Sequence, residues 1–228
     1  MELVCHYPDV ECEGLRRALA QAEGVPMESI ICGNGAADLI FGLVLALKPA
    51  KALLPAPTFA EYEQALTACG CVTEYYFLSE EEGFRPGEEF LDHIGKDTDM
   101  VFFCNPNNPT GVAVEPEYLK KLAQRCRDTG TFLVLDECFE DFLEEAEKYS
   151  MKGYLEEYPQ MFLLKAFTKK YAMAGIRLGY GFCGDPQILG KMKEVMQPWN
   201  VSVVAQEAGI AALKEETYVK ESMKKIRK

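Results

Sequence analysis

Seven short apolar runs recur along this chain: IICG, ALLPAP, VTEYYFL, MVFFCNP, FLVLDE, FLLKAF and GYGFCG, with helical patterns between most of them. Runs this short, rich in Val, Leu and Phe and bounded by Gly and Pro, read as strands. Most are continuously apolar rather than alternating, which requires burial on both faces. The segments between them suit helices: Glu13 to Glu23, AADLIFGLVLALK, TFAEYEQALTAC and EPEYLKKLAQRCRDTG. Asp185 and Pro186 supply an N-cap and first turn for another, and a long helical stretch runs from about Ser202 to Lys228. Apolar strands alternating with helices predict an α/β fold, a three-layer sandwich whose mixed sheet is mostly parallel.

In such a sheet, ligands sit outside the carboxyl ends of the strands. The unusual motifs of this sequence all fall there. GNGAADLIF turns from strand to helix at Gly35, Ala36 and Ala37, where free N–H groups favour a phosphate, although glycines for a tight turn explain the same residues. Asp136 closes FLVLDE and either caps the next segment or meets a cation; Asn108 in NPNNPTG is a turn former or an amide donor. In KAFTKKYAMAGIRLGYG, Lys165, Lys169 and Lys170 are either solvated loop cations or include a nucleophilic amine held near an anion that Arg177 also binds. Taken together, a phosphate cradle, a carboxylate, an amide, an amine and an arginine at one rim are the groups needed to hold pyridoxal 5'-phosphate.

Composition narrows the partners. A formal net charge of -12 over 228 residues argues against nucleic acid and anionic membrane surfaces, leaving a small molecule or a protein. No apolar run is long enough to span a bilayer. Nine cysteines, an odd number with no CxxC spacing, read as reduced thiols in the cytoplasm, and two histidines give little material for a metal site.

The motifs GNGAADLIF, PAPTFAEY, NPNNPTG, LDECFEDF and FTKKYAMAGIRLGYG resemble the fold type I aminotransferases of class I/II. The resemblance is to the branch of histidinol-phosphate aminotransferase and threonine-phosphate decarboxylase. It implies that Lys169 is the Schiff-base lysine, Arg177 a phosphate ligand eight residues on, and Asp136 the partner of the pyridinium nitrogen. Asn108 would donate to the ring's phenolic oxygen, Phe59 would stack on the ring, and Gly35, Ala36, Ala37 and Thr168 would meet the phosphate. Tyr7 resembles the tyrosine that reaches a neighbouring subunit's phosphate, which implies a homodimer with shared active sites; a plain turn residue is the alternative.

Several positions depart from the family pattern. Ala166 stands where a hydroxyl is common, Lys165 where an arginine is usual, and Phe139 where many members have tyrosine. Lys165 is expected to be solvated or near the phosphate. The DE-x-F form implies threonine-phosphate decarboxylation, a cobalamin-pathway step, ahead of transamination of histidinol phosphate or another amino acid. By the resemblance, residues 1–228 form the cofactor-binding large domain without the N-terminal arm and small C-terminal domain, so a fragment that binds cofactor without catalysis is a further reading. A nucleotide-binding Rossmann enzyme is a third, but GxGxxG spacing is missing.

Overall fold

In the computed structural model, residues 2–226 are described. The elements run α1 (Glu13–Glu23), β1 (Ile30–Gly33), α2 (Ala36–Leu47), β2 (Lys51–Ala56), α3 (Glu61–Ala68), β3 (Val72–Phe77), α4 (Glu88–Asp92), β4 (Met100–Cys104), α5 (Pro116–Thr129) and β5 (Phe132–Asp136). Then follow α6 (Ala146–Tyr149), β6 (Met161–Ala166), α7 (Phe167–Lys170), β7 (Gly179–Cys183), α8 (Pro186–Val195), α9 (Val203–Ala212) and α10 (Glu216–Ile226). The strands form one sheet in the order β1-β7-β6-β5-β4-β2-β3. The pairings from β3 through to β6 are parallel, and β7 runs against both its neighbours. This is the mostly parallel mixed sheet that the apolar runs predict.

Alternation along the strands divides the core into two layers. On β6, Met161 and Leu163 join Leu15 and Leu19 of α1, Leu119 and Leu122 of α5, and Ala205 of α9. Phe162 and Leu164 face the other way, onto Leu39 and Leu43 of α2, Tyr62 of α3, and Leu189 and Met192 of α8. Helices thus cover both faces of the inner strands, and that is why β4 and β5 are buried along their whole length, while edge strand β3 is largely exposed. Strand order reverses direction beside β2: β3 lies on one side and β4 to β6 on the other, so the carboxyl ends of β2 and β4 flank a crevice.

Two helix boundaries differ from the sequence reading. Helix α3 starts at Glu61 rather than near Thr58, because the preceding loop is tied across the crevice: Asn107 Nδ2 donates to Pro57 O at 3.0 Å, and Thr58 Oγ1 bonds Asn107 Oδ1 at 3.2 Å. The long C-terminal helix is two helices. Lys214 N and Glu215 N bond the carbonyls of Ala211 and Ala212, three residues back, so the chain tightens and turns after α9 has buried Ala205, Gly209 and Ala212. Arg227 and Lys228, also expected in that helix, lie outside the described residues. No helix among the described residues is long and apolar enough to cross a membrane.

Candidate active site

A cavity of about 210 Å³ opens at the carboxyl ends of β4, β5 and β6. Asp136, Asn108 and Phe59 reach it from three different strand ends, and Lys169 and Arg177 from the segments after β6. Its remaining wall includes Ala36 and Ala37, the first residues of α2, whose free N–H groups and positive dipole end suit an anion.

Asp136 is 5% exposed at the end of an entirely buried strand. Its Oδ1 accepts from Cys138 N at 2.9 Å and its Oδ2 from the Tyr62 hydroxyl at 2.5 Å. Burial pushes the carboxyl above its ordinary range, while the Cys138 and Tyr62 hydrogen bonds and the charge of Lys169 hold it partly down. A buried carboxylate aimed into a cavity favours a cationic partner there. Lys169 is exposed and carries its Nζ 5.2 Å from the centroid of the Phe139 ring, so the aromatic face borders the amine.

The turn before α2 is shaped around Arg177. Gly35 has φ 86°, and a Cβ built on it would stand 2.8 Å from Arg177 Nη2, so only glycine lets the guanidinium lie on this backbone. Gly179 backs the same peptide from β7: a Cβ there would come within 2.6 Å of Ala36 N. Asp38 fixes the turn, accepting from Asn34 N at 2.8 Å and from Asn200 Nδ2 at 2.7 Å.

A family model described as aminotransferase class I and II matches residues 4–228. The chain belongs to the class I and II aminotransferase family. It is 35% identical over 218 residues to the threonine-phosphate decarboxylase of Salmonella typhimurium, a match covering 96% of the chain and 59% of that protein. It is 32% identical to histidinol-phosphate aminotransferase 2 of Carboxydothermus hydrogenoformans, covering 98% of the chain and 62% of that protein. The crystal structure of histidinol-phosphate aminotransferase from Clostridium acetobutylicum superposes with a TM-score of 0.87 at 29% identity, over 97% of this chain and 65% of that one. The chain therefore spans about three fifths of the length of these curated relatives.

The class I and II aminotransferases depend on pyridoxal 5'-phosphate, and the residues of this cavity fit that group. Two cations, a buried carboxylate, an amide, an aromatic wall and a helix start under a glycine lacking the obstructing Cβ converge on one space. Thr168 lines the cavity beside Ala166, which brings no hydroxyl. Tyr7 does not line it: it is 81% exposed, with its ring 5.0 Å from that of Trp199.

Lys165 departs most from the sequence reading. It is neither solvated nor among the residues lining the cavity: it is 3% exposed and pairs with Glu140 at 2.6 Å. Strand alternation is the reason, since Ala166 faces the cavity and its neighbour must face the other layer. Sequence reasoning also missed Tyr62 and Gly179. Tyr62 lies only three residues past Phe59, in the first turn of α3, so its nearness in sequence to Phe59 was the available signal.

Proposed function

We propose that this chain is the cofactor-binding large domain of a pyridoxal phosphate enzyme acting on an amino acid or amino-acid phosphate, with threonine-phosphate decarboxylation as the reaction. The observation that carries the reading is the convergence of Lys169, Asp136 and Arg177 on one cavity at the strand ends. When bound, the cofactor supplies an electron sink for a bond breaking at the substrate α-carbon.

The chain's own residues do the rest. Lys169 would be the amine that holds the cofactor through its aldehyde and, as a free amine, would move a proton at the substrate α-carbon. Asp136, kept oriented by Cys138 N–H and the Tyr62 hydroxyl, pairs with the protonated ring nitrogen. Arg177, Thr168 and the backbone of Gly35, Ala36 and Ala37 would hold the phosphate, Asn108 would donate to the phenolic oxygen, and Phe59 would stack on the ring. Tyr7, exposed on its own subunit, reaches the phosphate of a second copy in a homodimer.

Decarboxylation is preferred because of the 35% identity to the Salmonella decarboxylase and because Phe139 offers no hydroxyl to the cofactor. Transamination of histidinol phosphate is the second reading, supported by the 32% identity to that aminotransferase. A cytoplasmic step of cobalamin synthesis fits the first.

The test has two stages. The chain mixed with pyridoxal 5'-phosphate should absorb in the visible range, and borohydride should fix the label to the Lys169 peptide. Threonine phosphate should then release carbon dioxide with no oxoacid present; consumption of an oxoacid with histidinol phosphate would decide for transamination, and labelling without either turnover would leave a cofactor-binding function only.

A further inference from the structure

On the face of the sheet opposite the cavity, directly behind Asp136 and Lys169, is a buried cluster of charge. Alternation sends Asp136 and Ala166 to the cavity and their neighbours Glu137 and Lys165 to the other layer. Glu137 is fully buried and accepts from the Ser150 hydroxyl and from Met151 N, both at 2.8 Å. Glu23, at the end of α1, accepts from the Tyr180 hydroxyl at 2.7 Å and faces Lys152 at 3.2 Å. Lys165 meets Glu140 at 2.6 Å with 4% and 3% of their side chains exposed. Burial alone would lower the Lys165 pKa, but Glu23, Glu137, Asp141 and Glu140 outweigh it and the net direction is up, so the ammonium stays charged.

The position of that pair matters more than its energy. The backbone ladder joining β5 to β6 ends where Glu137 N donates to Leu164 O at 2.9 Å. Past that point two ion pairs continue the connection side chain to side chain: Lys165 to Glu140, then Lys170 to Asp141 at 2.6 Å. Lys169 stands between these two ties, over the ring of Phe139, itself adjacent to Glu140. A buried ion pair is weak evidence for stability, because an apolar pair of similar volume often serves as well or better; what an apolar pair lacks is a fixed donor-acceptor geometry.

We propose that Lys165 and Glu140 are positioning residues for the cofactor pocket, their ion pair locking the segment that carries Lys169 onto the segment that follows Asp136. The inference rests on the functional reading above. It assigns to the rear of the sheet the task of setting the distance between the amine and the carboxylate at its front.

The experiment uses the full chain and two readouts, the Tm of the cofactor-free protein and the dissociation constant of pyridoxal 5'-phosphate. Lys165→Met strands Glu140 without its partner and lowers both stability and affinity. Lys165→Met combined with Glu140→Leu should recover part of the Tm that Lys165→Met loses, Glu23 and Glu137 still lacking the ammonium, yet leave cofactor affinity weaker by about ten-fold, since packing returns and the fixed geometry does not. Lys165→Arg, which keeps the charge and adds donors, should stay within about three-fold of wild type. Should the double variant not fold, Glu140→Gln retains length and an acceptor oxygen; weaker affinity at unchanged Tm supports the proposal. A double variant, or a Glu140→Gln variant, with wild-type affinity overturns it while the functional reading stands. A wild-type chain that binds no cofactor removes both.

Discussion

The Tyr62 hydroxyl donates to Oδ2 of Asp136 at 2.5 Å, and both side chains are buried, Tyr62 completely. Tyr62 stacks on Phe102 with ring centroids 4.8 Å apart and meets Phe59 edge-on at 5.5 Å, so its hydroxyl cannot swing away from the carboxylate without disturbing two packed rings. One phenol thereby supports both the carboxylate at the floor of the cavity and the aromatic ring at its wall.

Tyr62→Phe removes that donor and changes nothing else in shape. A hydrogen bond to a charged group contributes about 1.5 to 3 kcal/mol, so cofactor affinity at neutral pH should fall by about ten-fold or more. The pH dependence has a definite sign. Burial raises the Asp136 carboxyl in the folded chain, so its contribution to stability is full below the unfolded value of about 3.9 and is lost as pH rises through the folded value. Losing Tyr62 raises the folded value further, and the decline of Tm in the cofactor-free chain should extend to higher pH. Equal cofactor affinity and superimposable Tm profiles would exclude this role.

Lys169→Ala should abolish the visible absorbance of the cofactor-loaded chain and the borohydride-stable label. Because Lys169 is exposed and makes no buried ion pair, stability should change by no more than about 0.5 kcal/mol. Mapping the label on wild-type protein gives the complementary check. Lys165 is committed to Glu140 and Lys170 to Asp141, so a label on either lysine would refute the assignment.

These two residues also mark what could and could not be read from the sequence. The place of Asp136 was legible because it ends an apolar strand, whereas the strand before Lys165, Lys169 and Lys170 left the three lysines open and only the family resemblance singled out Lys169. The reversal of β7 and the neighbour relations in the sheet depend on pairing, which no single run encodes. Lys165 was illegible for a related reason. Its role is set by Glu140, 25 residues away, and a lone lysine beside two others reads as a solvated cation until its carboxylates are placed around it. The break after Ala212 was hidden because Leu213, Lys214 and Glu215 are good helix formers, and the tightening to hydrogen bonds three residues back leaves no mark in the pattern.

Gly35→Ala separates backbone strain from the placement of Arg177. At φ 86° any side chain is strained, at a cost of about 1 to 3 kcal/mol, and the added Cβ would stand 2.8 Å from Arg177 Nη2. The guanidinium can move aside at little cost, but it then leaves the start of α2. Gly83→Ala is the control, with φ 63° and nothing within 4 Å of the added carbon. Both variants should lose stability in denaturant unfolding; Gly35→Ala alone should also weaken cofactor binding, by about as much as Arg177→Ala. Similar affinity in the two glycine variants would mean that Arg177 is not held by the turn.

The buried cluster behind the site has its own pH signature. Burial pushes the Glu137 carboxyl up to about 7, with Lys165 pulling it down and Glu140 adding to the rise. Against an unfolded value of about 4.3, the folded group holds its proton more tightly, so its contribution to stability is complete below about pH 4 and disappears as pH climbs through 7. Burial raises Glu140 in the same direction, whereas the lowered Glu23 acts in the opposite sense at acid pH. The Tm of the cofactor-free wild-type chain should therefore fall between about pH 5 and pH 8 by more than that of Glu137→Gln. Glutamine keeps a carbonyl for Met151 N and can donate to the Ser150 oxygen while never ionising, so its profile should be flatter. Parallel profiles for the two proteins across that range would show that Glu137 ionises in the folded chain as it does in the unfolded one.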